Sequence, residues 1–102
     1  MIEEKNQVTA AREAFELDFE RFNRFRDGLP VKDLSLAEAE NLARELGDLR
    51  VRHTGKKSGL ANTKKLIGRV APESRGEFGK LVQTAEREIV SALDAAEGAL
   101  KR

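Results

Sequence analysis

The sequence has no cysteine, tryptophan or tyrosine, and only two prolines, one methionine and one histidine among 102 residues. Without cysteine there is no disulfide and no thiolate metal site, and nothing points to an oxidising compartment. One imidazole cannot assemble a typical zinc centre, so no metal and no cofactor is expected. His53 reads instead as a helix-end or interface residue that can touch a phosphate when protonated. Without Trp or Tyr, base stacking is a weak way to hold nucleic acid, which leaves phosphates and shape. No apolar run approaches the roughly 18 residues that a membrane span requires. The charged start, Met1-Ile2-Glu3-Glu4-Lys5, is no signal peptide. The expectation is a soluble cytoplasmic chain with no membrane partner and no small-molecule substrate.

Acidic residues are missing from one stretch. Arg50 to Arg69 holds Arg50, Arg52, Lys56, Lys57, Lys64, Lys65 and Arg69, and no Asp or Glu. Those seven of the 19 Lys and Arg leave twelve basic residues elsewhere against all 18 acids. A net charge of +1 thus conceals a +7 segment in a −6 remainder. Clustered cations repel one another, and a polyanion that neutralises them gains from attraction and counterion release. Gly55 and Gly59 let a backbone approach a phosphate closely. The plainer alternative is a solvated turn whose lysines serve solubility.

The chain as a whole reads as all-α, a single domain with 39% hydrophobic and 36% charged residues, which suits helices with narrow apolar stripes. A first helix is expected from about Asn6 to Asp27. Val8, Ala11, Phe15, Phe19 and Phe22 lie on one face, Phe25 at its edge, and Gly28-Leu29-Pro30 ends it. Ser35 with Glu38 forms a capping box for a second helix, about 35–53, with Ala39, Leu42, Leu46 and Leu49 as its seam. A basic, Gly-rich turn and a short irregular helix fill 54–71. Pro72-Glu73 opens a long helix, about 73–102, with Phe78, Leu81, Ala85, Ile89, Ala92, Ala96 and Ala99 in heptad-like spacing. The expected architecture is a long antiparallel helical hairpin (coiled coil) with the N-terminal helix beside it, a three-helix arrangement. Lys56, Lys57, Lys64 and Lys65 are then expected near the hairpin tip. The phenylalanine stripe reads as an intramolecular core, or in part as a seam for a second copy, giving a homodimer.

No catalytic constellation emerges. Gly55-Lys56-Lys57 lacks the earlier Gly and the preceding strand of a phosphate-binding P-loop. Ser58 and Ser74 have no identifiable base beside them, and Glu38/Glu40 and Glu86/Glu88 read as solvated faces.

From Leu42 onward the order of features resembles the N-terminal tRNA-binding arm of the bacterial phenylalanyl-tRNA synthetase alpha chain. The carriers are Leu49-Arg50-Val51-Arg52, the turn Gly55-Lys56-Lys57-Ser58-Gly59-Leu60, Lys65-Leu66-Ile67-Gly68, Pro72-Glu73-Ser74-Arg75 and Gly79. His53-Thr54 stand where the family prefers Tyr-Leu, Ser58 lengthens the turn, and Gln83 stands near the usual Asn. The resemblance implies a helical hairpin that contacts tRNA, with Arg52, Lys56, Lys57 and Arg75 at matching motif positions. Arg50, Lys64, Lys65 and Arg69 join them on charge alone. The aminoacylation module that follows the arm in the family is absent from these residues, so the chain is expected to bind tRNA without charging it, as an excised arm or a free-standing relative. The rival expectation is a protein-interaction or dimerisation module that does not bind RNA.

Overall fold

The computed structural model describes residues 2–29 and 32–101. Four α-helices form, α1 (Ile2–Phe19), α2 (Leu36–Thr54), α3 (Gly59–Leu66) and α4 (Arg75–Lys101), with no strand among the described residues. Short 3₁₀ segments follow α1 (Glu20–Phe25), follow α3 (Ile67–Arg69) and precede α4 (Pro72–Ser74). Pro30 and Val31, which were expected to stop the first helix and begin a connector, lie outside the described residues, as does Arg102.

α4 is the spine. Its 27 residues make a rod of roughly 40 Å at 1.5 Å per residue, within a body 51 × 21 × 17 Å. α1 lies alongside it and runs parallel, for Lys5 pairs with Glu77 and Arg12 with Glu88. α2 runs the other way: Asp18 meets Arg52 and Arg21 meets Glu45, and Arg50 reaches Asp94 and Glu97 near the end of α4. α3 continues antiparallel to α4, with Lys64 on Glu86 and Val70 packed near Phe78. The hairpin is therefore α4 against a broken column of α2 and α3, and α1 covers both.

This arrangement produces two apolar clusters along the long axis. Phe15, Phe19, Phe22, Phe25, Leu46, Leu49, Ile89, Leu93 and Ala96 belong to the one under α2. Val8, Leu60, Val70, Phe78, Val82 and Ala85 form the one under α3. Each buried phenylalanine contributes roughly 1.5–3 kcal/mol relative to an exposed one, and all five are buried. The stripe is used up within the chain, so it offers no phenylalanine to a second copy.

Three expectations need correction. The first helix begins at Ile2 and passes into a 3₁₀ segment at Glu20. Side chains three apart eclipse in a 3₁₀ helix, so Phe19, Phe22 and Phe25 fall on one line and Phe25 is buried, not marginal. Their ring centroids are 5.8 and 6.3 Å apart, and Gly28 closes the segment at φ +74°. Second, α4 proper begins at Arg75, because Pro72-Glu73-Ser74 form the tighter 3₁₀ turn. Third, Lys56 and Lys57 are not at the tip. The chain reverses at Ile67–Ser74, and the basic turn sits on the flank where α2 gives way to α3.

Candidate nucleic-acid interface

The flank turn is fixed by a few short-range bonds. α2 ends with Gly55 N–H donating to Val51 O at 2.9 Å, in a conformation where a Cβ on residue 55 would stand 2.4 Å from that oxygen. Only glycine fits there without a shift. Ser58 is buried and pivotal: its hydroxyl donates to Gly55 O at 2.7 Å and accepts from Ala61 N–H at 3.1 Å, which caps α3. Gly59 faces α1 closely, a Cβ there lying 3.3 Å from Ala11 Cβ. With no side chain to spare at 55 and a buried serine at 58, Lys56 and Lys57 are left as the exposed residues of the turn.

The eight cations expected at the interface divide into two groups. Arg50 bonds to Asp94 at 2.8 Å and Glu97 at 3.0 Å. Arg52 bonds to Asp18 at 3.0 Å, and Lys64 pairs with Glu86. Arg75 turns back on its own loop, donating through Nε to Val70 O at 3.1 Å and through a terminal nitrogen to Gly68 O at 3.2 Å. Its role is to close the reversal before α4. Among the described residues, Lys56, Lys57, Lys65 and Arg69 are exposed and no carboxylate stands within ion-pair distance of them. The structure thus leaves four of the eight free and ties four to the body.

His53 belongs to the tied set. It is buried on α2, its Nε2 lies 2.8 Å from Asp18 Oδ2, and its ring meets Phe15 edge-on at 5.5 Å. The His53 and Arg52 hydrogen bonds hold the Asp18 carboxyl below its ordinary value of 3.8. Glu97 is likewise held below 4.5, first by Lys101 and then by Arg50. The anchoring acids Asp18, Glu86, Asp94 and Glu97 left no trace in local sequence. They stand 34, 22, 44 and 47 residues from their cations, and tertiary packing alone unites them.

No group of three or more His, Cys, Asp or Glu able to hold a metal occurs among the described residues. No described helix is long and apolar enough to cross a membrane. What this part of the chain offers is four exposed, unpaired cations along the turn, α3 and the reversal.

The family of the N-terminal domain of class II aminoacyl-tRNA synthetases matches residues 41–102, which is most of α2, the turn, α3 and α4. The chain belongs to that family. It is also 39% identical over 66 residues to the phenylalanine–tRNA ligase alpha subunit of Methylococcus capsulatus, a match covering 65% of this chain and 19% of that one. The chain therefore spans about a fifth of that relative's length. No solved structure matches it. The family match leaves out α1 and the 3₁₀ segment that follows it, although together they supply four of the five buried phenylalanines.

Proposed function

We propose that the chain is a non-catalytic RNA-binding arm that works in the cytoplasm and holds tRNA through its phosphates. The observation that carries this reading is the unpaired state of Lys56 and Lys57 in the α2–α3 turn, Lys65 on α3 and Arg69 at the reversal, within a synthetase-family domain. Their charge has no internal use, and each is open to a phosphate oxygen. All five aromatic rings are buried, so the bound groups are phosphates and not stacked bases. Four contacts imply a log–log salt slope of about 2.8–3.6, since each phosphate neutralised contributes about 0.7–0.9.

The test is a fluorescence titration of labelled tRNA with the whole chain at low and physiological salt, repeated with K56E/K57E. The expected result is saturable binding that weakens with salt and disappears in the double variant at unchanged helicity. Equal binding by the variant and the parent would rule the flank out.

A further inference from the structure

The groove between α1 and α4 carries a second arrangement for anions. Two depressions run along the α1–α4 groove, and they repeat one pattern seven residues apart. The first is lined by Lys80 and Thr84 beside the Lys5–Glu77 ion pair. The second is lined by Arg87 and Ser91, with Glu88, Glu16 and Arg26 around them. In each, a cation at i and a hydroxyl at i+4 share the exposed face of α4.

The acids of this groove are already occupied. Glu77 takes Lys5 at 3.3 Å, Glu88 takes Arg12, and Glu16 takes Arg26 at 2.8 Å. On the opposite side of α4, Glu86 is held by Lys64. Lys80 and Arg87 are consequently exposed cations with no carboxylate within ion-pair distance, although acids flank both. Neutralised acids do not repel an incoming anion as free ones would, and the hydroxyls of Thr84 and Ser91 add donors beside each cation.

We propose that the α1–α4 groove is a second phosphate-binding row, in which Lys80 with Thr84 and Arg87 with Ser91 each take one phosphodiester of an RNA backbone. The two positions are about 10.5 Å apart along the helix, seven residues at 1.5 Å each, so they meet two phosphates of one chain that are not neighbours. The row rests on the RNA-binding reading of the flank but uses none of its residues. One of its walls is α1, which lies outside the family match.

Labelled tRNA is titrated with the whole chain at about 50 and about 200 mM salt. The variants are K80Q/R87Q, K80E/R87E and the control K32E/R44E, which reverses two exposed charges elsewhere. Gln keeps helix propensity, so the milder pair guards against loss of fold. The expected result is on the order of tenfold weaker binding for K80Q/R87Q, with the salt slope smaller by about 1.4–1.8. K80E/R87E should be weaker still, while K32E/R44E stays close to the parent. An unchanged slope in K80Q/R87Q, or K80E/R87E no weaker than K32E/R44E, would overturn the second row and leave the flank standing. Loss of binding in K80E/R87E but not in K56E/K57E would remove the flank and keep the row. A parent chain that binds no tRNA at low salt removes both.

Discussion

Asp18 Oδ2 stands 2.8 Å from His53 Nε2, and through that contact α1 holds the last turn of α2 just before the basic turn. The same carboxylate takes Arg52 at 3.0 Å. The bonds favour the ionised acid in the folded state and lower its pKa below 3.8. A lowered carboxyl pKa contributes stability that is fully present above the unfolded value and is lost as pH falls through the folded one. D18N is therefore expected to melt a few degrees below the parent at pH 7. The gap should begin to narrow only as pH falls below 3.8 and should close once pH has fallen through the lowered folded value, where the parent's own carboxyl is protonated. Asp18 is over a third exposed, so the effect is of order 1 kcal/mol or less. Circular dichroism melts at the two pH values measure it, and a gap that persists at low pH would refute the electrostatic cause.

Phe25 gives a sharper test of the 3₁₀ segment. A residue at the edge of an α-helical stripe would lose about 1 kcal/mol or less on truncation, whereas a fully packed one loses about 3–5. Phe25 is 1% exposed, with the Arg24 guanidinium 5.1 Å from its ring centroid. F25A is expected to cost the larger amount, a large share of the roughly 5–15 kcal/mol that holds a domain together. Urea titration of the variant reads this directly, and a cost near that of an exposed site such as L17A would mean that Phe25 is not packed in the core.

Gly55 predicts a loss from one added methyl. The close approach of Val51 O forces either the α2 C-terminus or the turn to shift in G55A, at about 1–3 kcal/mol by analogy with overpacked sites. Gly47 is the control, because nothing lies within 4 Å of a Cβ there. G47A should instead stabilise by up to about 1 kcal/mol, since Ala is the better helix former. Equal melting temperatures for the two variants would contradict the turn geometry.

The apolar stripes, the Ser35–Glu38 capping box and the helix end at Gly28 are all local patterns, legible in the sequence itself. Residues that recur at helical spacing share a face whatever they pack against, so α2 and α4 and their seams were legible. The position of the basic turn was not. It depends on Gly59 approaching Ala11 and on Leu60 entering the second cluster, contacts that keep α3 against α1 and α4 as a continuation of the α2 column. The sequence there shows only two glycines in a basic run. The charge count was correct but could not divide free cations from bound ones. A lysine at 64 and a lysine at 65 look alike in sequence, and a turn of 100° on α3 gives one of them Glu86 and leaves the other in solvent.

That pair supplies the last prediction. If RNA is held by the unpaired cations, K65A and R69A should each weaken tRNA binding and lower the salt slope by about 0.7–0.9, without moving the melting temperature. K64A removes an ion pair on the surface, so it should alter stability by about 1 kcal/mol or less. Its effect on RNA should be smaller than that of K65A, because in the parent the Lys64 ammonium must leave Glu86 before it can meet a phosphate. E86Q separates the two contributions, since it releases Lys64 while keeping the shape of the site. Binding should then tighten, and the slope should rise by one phosphate's worth. If K64A and K65A weaken binding equally and E86Q changes nothing, the carboxylate does not restrain Lys64, and the division between free and tied cations carries no weight for RNA.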